Sequence, residues 1–271
     1  MKIYHYTNIG SLALILSSKK IRFTRLDMLD DMLESESFPS EAIFFAKRFF
    51  VSSWTKDSEE NIALWKMYSS VDNGIRITMP IDPFNHYTIK AFAERNHGIT
   101  KDIISPLTKE EYFYNGKYVI NNIFSEKKHD FFKDVVYIDD VKGFYKSSIV
   151  RREHTTIVDN LWDFGKFKEK KWSFQKESRF VLMASPLLPL SHPLVNGDVM
   201  KQYDTIPYGL ASHMDQNVEC IDVAFSDSAF SNMEITLPPC INSANRIIVQ
   251  ALLNQYNPSA IIHESTLKLR K

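Results

Sequence analysis

The sequence predicts an α+β protein. Short segments with two-residue alternation are interleaved with segments whose apolar residues recur at helical spacing, yet the regular long βαβ alternation of a doubly wound sheet is missing. Over 271 residues, 44% hydrophobic and 13% aromatic side chains suffice for a sizeable core. The chain reads as a single domain spanning 1–271, with residues 82–150 a variable insertion.

Residues 2 to 7 alternate like a strand, and Asn8 is placed to cap a helix through Ile9, Leu12, Ile15 and Leu16. Lys20 to Arg25 forms a second strand. An acidic loop follows, with Asp27, Asp30, Asp31, Glu34, Glu36 and Glu41 and no basic residue before Lys47. Phe50 to Thr55 is strand-like, and Ser58 with Glu59 and Glu60 opens a helix carrying Ile62, Leu64, Trp65 and Tyr68, ending near Val71. Asn73-Gly74 turns the chain into a strand over Ile75 to Met79. Within 82–150 the pattern predicts a helix after Pro83 and a strand at Val135 to Ile138. Residues 154 to 171 read as a long, partly basic helix, Glu177 to Ala184 as a strand, and the proline-rich stretch to Pro193 as a connector. The last third predicts a strand at Val218 to Phe225, a helix at Ser243 to Tyr256, a strand at Ala260 to His263 and a terminal strand to Leu269.

Composition excludes several functions. Thirty-three basic against thirty-three acidic residues argue against wholesale polyanion binding, although residues 151 to 179 carry eight basic against five acidic side chains. The eight glycines come no closer than Gly197 and Gly209, so neither a GxGxxG nor a P-loop phosphate cradle exists. Two cysteines, Cys220 and Cys240, suit a reducing compartment. The opening residues lack a signal-peptide core, and the longest uncharged run, Phe180 to Gly197, contains three prolines. These features predict a cytoplasmic protein with no membrane partner. No HExxH spacing occurs, so no metal is expected; Asp30, Asp31 and Glu34 could hold a cation, but a solvated acidic loop is the commoner arrangement. No serine sits in a glycine-flanked nucleophile elbow.

Three segments are suited to chemistry. Tyr4-His5-Tyr6-Thr7 puts an imidazole on a strand between two aromatics; the bland alternative is a histidine satisfied by a backbone partner. Ser52-Ser53-Trp54-Thr55 offers hydroxyls beside a flat indole able to hold a ring, unless Trp54 is simply core. Gln175, Glu177 and Arg179 share one face of an entering strand, with Phe174 and Phe180 on the other. A carboxylate beside an amide and a guanidinium can fix a ribose diol and stabilise a cation developing at a glycosidic carbon; otherwise it is a surface rung of little energetic weight. Lys166, Lys168, Lys170 and Lys171 could guide a phosphate or nucleic acid, or simply coat a solvated helix face.

In this order the segments resemble the ADP-ribosyltransferase-like proteins of bacteria, and within them one large uncharacterised bacterial family. The marks are Tyr4-His5-Tyr6-Thr7 with the Ile-Arg-Phe-Thr strand, Leu29-Asp30-Asp31-Met32-Leu33-Glu34, Ser53-Trp54, Leu64-Trp65-Lys66-Met67-Tyr68, Gly74-Ile75-Arg76-Ile77, Lys171-Trp172 with Gln175-Lys176-Glu177-Ser178-Arg179, and Ser265-Thr266-Leu267. The resemblance implies a split β-sandwich with flanking helices and an inserted middle segment, binding NAD as substrate in a cleft between two small sheets. It implies that Glu177 is catalytic, bonding the nicotinamide ribose, and that Gln175 orients the acceptor. His5, Tyr6, Thr7, Ser53, Trp54, Tyr68 and Arg179 would form the NAD-binding set. The pattern mixes two branches: His5 belongs with a His-Tyr-Glu set, Ser52-Ser53 and Gln-x-Glu with an Arg-Ser-Glu set. Asp30 stands where the uncharacterised family usually has asparagine. The implied activity is mono-ADP-ribosylation of a protein or nucleic acid by a toxin or antiphage effector, with a cognate antitoxin or a homo-oligomer as further partner. NAD glycohydrolysis and non-catalytic sensing of a nucleotide or phage component are the alternatives.

Overall fold

The computed structural model describes residues 1–38, 45–89, 103–121, 131–152, 155–159, 161–198, 201–202, 205 and 217–269. In chain order the N-terminal part comprises β1 (Lys2–Asn8), α1 (Ile9–Ser18), β2 (Lys20–Arg25), α2 (Leu33–Glu36), β3 (Phe49–Thr55), α3 (Ile62–Tyr68) and β4 (Gly74–Pro80). The middle adds β5 (Tyr87–Ile89), β6 (Ile103–Ser105), α4 (Lys109–Tyr112), β7 (Tyr118–Asn121), β8 (Phe132–Asp134), β9 (Val136–Ile138), α5 (Val141–Ser148), β10 (Ile149–Arg152), β11 (Thr155–Val158) and β12 (Phe167–Glu169). A 3-10 helix, Lys170–Gln175, leads into β13 (Glu177–Pro186); then come β14 (Cys220–Ala224), α6 (Asp227–Ser231), β15 (Glu234–Thr236), α7 (Ser243–Tyr256) and β16 (Ile261–His263). The class is α+β.

One large mixed sheet runs β14-β2-β3-β1-β4-β15-β16, with β13 on β3 and with β7 and β8 on β13. Strands from the middle of the chain thus belong to the main sheet: β8 pairs Phe132 to Asp134 with Phe180 to Ser178, and β7 pairs with Met183 to Pro186. Alternation along β3 and β13 divides the interior. Phe50, Trp54, Phe180 and Leu182 enter a core with Leu12, Ile15 and Leu16 of α1 and Val249 and Leu253 of α7. Phe49, Val51, Val181 and Met183 enter a second core with Val141 and Tyr145 of α5. β13 is covered on both faces and buried at all ten positions, which suits its continuous apolar run from Phe180 to Ala184. A third, small cluster joins Tyr6 to Leu64 and Trp65 of α3.

Several expectations are corrected. The basic stretch 154–171 is no long helix: β-branched Thr155-Thr156-Ile157-Val158 pairs with β10, and Gly165, at φ 78°, turns the chain into β12. Among the described residues no helix follows Pro83; Phe84 bridges to Phe225 and their rings lie parallel at 5.8 Å. Val135 to Ile138 divides, because Val135 separates β8 in the main sheet from β9, which pairs in parallel with β12. α3 is capped not by Ser58 but by Asn61, whose side chain accepts from the amides of Ala63 and Leu64, and it ends at Tyr68. Residues 264–269 form no strand. Among the described residues no helix is long and apolar enough to cross a membrane.

Candidate functional site

The site begins with a split in the sheet. β1 joins β3 at one registered pair, Tyr4 with Thr55, while β2 joins the same edge of β3 at Thr24 with Val51 and Arg25 with Phe50. Between these contacts β1 and β2 diverge, and the His5 imidazole fills the gap: its Nδ1–H donates to the Ser53 carbonyl at 2.8 Å. A carbonyl can only accept, so this bond fixes the Nδ1–H tautomer and leaves the lone pair on Nε2. Thr55 also pairs with Glu177, so Tyr4, Thr55 and Glu177 form one rung across β1, β3 and β13, while Ser53 pairs with Arg179 further along.

Beside this rung lies an open cleft, with about 400 Å³ of space counting the solvent at its mouth, lined by Tyr4, His5, Tyr6, Ser53, Trp54, Thr55, Leu64, Tyr68, Gln175 and Glu177. Of the nine residues singled out in the sequence, seven line it: His5, Tyr6, Ser53, Trp54, Tyr68, Gln175 and Glu177. Thr7 and Arg179 are not among the lining residues. Thr7 is buried and pairs with Ile75, and Arg179, 1% exposed, lies behind Glu177. Trp54 is a core residue at the cleft floor rather than an exposed stacking platform; it is 3% exposed, and its indole N–H donates to the Ser52 hydroxyl at 3.0 Å.

Gln175, Glu177 and Arg179 do meet, though not along one strand face. Gln175 ends the 3-10 helix, and Lys176 takes a left-handed conformation, φ 46°, before β13 begins. Phe174 is 40% exposed rather than opposite the site, and Phe180 alone enters the core. The Arg179 guanidinium grips Glu177 through Nε to Oε1 at 2.6 Å and Nη2 to Oε2 at 3.1 Å. Its other side grips Glu34 at 2.5 and 2.8 Å, and Nη1 donates to the Gly165 carbonyl at 3.0 Å. Lys168 bridges Glu34 at 3.1 Å, Glu177 at 3.2 Å and the side-chain oxygen Oε1 of Gln175 at 3.0 Å. The Gln175 amide then donates to the Tyr68 hydroxyl at 2.7 Å, and the Glu177 amide to the Tyr137 hydroxyl at 2.9 Å. Two carboxylates and two cations are thus buried together with no net charge, the arrangement under which buried ions are tolerated.

Glu34 corrects the picture of a solvated acidic loop, since it is 3% exposed and fully engaged. Among the described residues no group of His, Cys, Asp and Glu could hold a metal. Tyr137 is a site residue that the sequence does not single out, and Lys168 is one that the sequence offers only as a member of a lysine run. Lys168 stands in a run whose other lysines are more exposed, and it lies on β12, paired with β9, the strand that carries Tyr137.

Electrostatics follow from this packing. Burial pushes the Glu177 carboxyl up, but Arg179, Lys168 and hydrogen bonds from Arg179 and the Ser53 hydroxyl outweigh it and hold the group well below the ordinary carboxylate range. Burial, then the charges of Glu177 and Asp30, push the Tyr68 phenol up. Burial likewise pushes Tyr137 up to about 12, so both phenols are neutral at pH 7. Burial lowers His5 below 6.5 although the Ser53 carbonyl opposes it. Stability is therefore expected to fall in two stages on acidification. Below about 6.5 the unfolded chain protonates His5 more readily than the folded one, and below 4.5 it protonates Glu177 more readily. Urea melts across this range test the expectation: His5→Ala removes the first stage and Glu177→Gln weakens the second. Wild-type stability unchanged from pH 7 to 4 contradicts it.

Comparison with known proteins finds no matching family model, no matching curated protein and no matching solved structure.

Proposed function

We propose that this chain is an NAD-dependent mono-ADP-ribosyltransferase with an ADP-ribosyltransferase-like fold. The observation that carries the reading is the convergence of His5, Ser53, Tyr68, Gln175 and Glu177, from separated segments, on one cleft at the sheet split, with Glu177 held ionised. In the proposed reaction the bond between ribose C1′ and the nicotinamide nitrogen breaks, and its electron pair leaves with nicotinamide. The oxocarbenium-like centre is stabilised by the Glu177 carboxylate. An acceptor nucleophile then bonds to C1′ and gives up its proton; with water as acceptor the same steps amount to NAD glycohydrolysis. His5 and the tyrosines supply ring and hydrogen-bonding contacts where no glycine-rich phosphate loop exists.

A protein acceptor is favoured over nucleic acid. Lys170, Lys171 and Lys176 are exposed near Glu177, but each is paired with an acid, Asp139, Glu169 and Asp57 respectively, so this run offers little net positive field. The biological role consistent with this chemistry is that of a toxin or antiphage effector. A second reading, a non-catalytic nucleotide-binding module, is favoured by one specific observation: both Glu177 oxygens already accept hydrogen bonds from Arg179 and Lys168. Incubation with labelled NAD, following nicotinamide release, transfer to protein and the melting temperature together, separates them. Release supports the enzyme; an NAD-dependent rise in melting temperature without release supports the binder; neither effect removes NAD as the ligand.

A further inference from the structure

The carboxylate of Glu60, outside the cleft, collects four hydrogen bonds. Oε2 accepts from the Trp65 indole at 3.0 Å and the Ser265 hydroxyl at 2.6 Å; Oε1 accepts from the Thr266 amide at 2.6 Å and its hydroxyl at 2.9 Å. The Ser265 oxygen also accepts from the Leu267 amide at 3.1 Å, and Leu267 packs on the cluster of Tyr6, Leu64 and Trp65. Upstream, Glu264 pairs with Arg246 of α7. Residues 264–267 are thus bound to the body by side chains rather than by a strand ladder.

α3 depends on such support. It has seven residues, of which only Leu64 and Trp65 are buried, too short to be stable by its own backbone bonds. Two of its residues, Leu64 and Tyr68, line the cleft. On its other flank, Asn61 donates to the Phe174 carbonyl at 2.7 Å and Tyr68 accepts from Gln175. The helix is therefore held between the segment that carries Gln175 and the C-terminal segment latched by Glu60.

We propose that Glu60 is a positioning residue that ties residues 264–267 to α3 as a strap, and that this strap sets the width of the cleft through Leu64 and Tyr68. The proposal rests on the reading of this cleft as the ligand site, but not on NAD being the ligand. Amide exchange on the full-length chain tests it, comparing wild type with Glu60→Gln, Thr266→Glu and Leu267→Ala. The first substitution turns an amide donor toward groups that need an acceptor. The second sets another carboxylate against Glu60, and the third leaves the latch but removes its apolar contact. Exchange over residues 62–68 is expected to rise about tenfold, the effect of losing one or two such bonds, with β13 amides unchanged. Unchanged exchange in α3 for all three variants overturns the proposal, as does an equal rise in α3 and β13, which marks a merely structural role. NAD-dependent melting of the same wild-type sample is a separate arm: its failure removes the NAD reading while the exchange data still decide the strap.

Discussion

Arg179→Met is expected to destabilise the protein by about 3–5 kcal/mol, because it leaves Glu34, Glu177 and Lys168 buried with a net negative charge and removes five hydrogen bonds. For a chain of this size that corresponds to a fall in melting temperature on the order of 10 °C. The fall has a specific remedy. Adding Glu34→Gln to Arg179→Met restores charge neutrality between Glu177 and Lys168, so the double variant is expected to melt above the single one despite carrying two changes. Arg179→Lys, which keeps the charge and loses the fork, is expected to lie between wild type and Arg179→Met. Thermal melts of the four proteins check this. A loss below about 1 kcal/mol for Arg179→Met, or a double variant less stable than the single, shows that the network does not behave as a balanced buried unit.

Glu177→Gln is expected to lower nicotinamide release from NAD by about 10²–10³-fold, the usual effect of deleting one charge-stabilising group aimed at a developing cation. The cost in stability is smaller, because Arg179 retains its fork on Glu34 and Lys168 retains Glu34 and Gln175. The variant therefore stays folded at 25 °C, and its NAD-dependent melting shift is retained while turnover falls, the signature of an interaction made mainly in the transition state. Release that continues at the wild-type rate removes Glu177 from the chemistry. The carboxylate is 8% exposed and already shared among Arg179, Lys168 and the Ser53 hydroxyl, so it presents a fixed negative charge rather than a free proton acceptor. In the proposed transfer Glu177 therefore supplies electrostatic stabilisation, and the acceptor's proton leaves by another route.

Local chemistry makes part of this legible. The Asn8 cap, the helix from Ile9, the Lys20–Arg25 strand and the helix Ser243–Tyr256 stand as read, because each rests on short-range spacing or a side-chain cap. The convergence of seven chosen residues on one cleft rests largely on strands β1, β3 and β13, whose positions short-range patterning reveals. What lies hidden is long-range. Glu34 is 145 positions from Arg179, and nothing near it distinguishes a carboxylate bound for a buried ion pair from one bound for water. Lys168 is obscured in the same way by its lysine neighbours, and the strand that carries it by a charge pattern that also fits a helix. The strap reads as a strand because Ser265-Thr266-Leu267 alternates, while its partner is a single carboxylate on Glu60.

The position of β13 also bears on synthesis. Its partner β3 lies more than a hundred residues earlier in the chain, Glu177 opposite Thr55, so the pair closes late and at a large loop-entropy cost. A ribosome-bound chain that has emerged only through β4 holds the floor and one wall of the cleft but neither its carboxylate nor the Arg179 fork. The half-built sheet leaves β3 with an open edge until β13 arrives. The nascent chain thus lacks the proposed catalytic carboxylate and carries an unpaired strand edge at the same stage, and the docking of β13 supplies the one and covers the other.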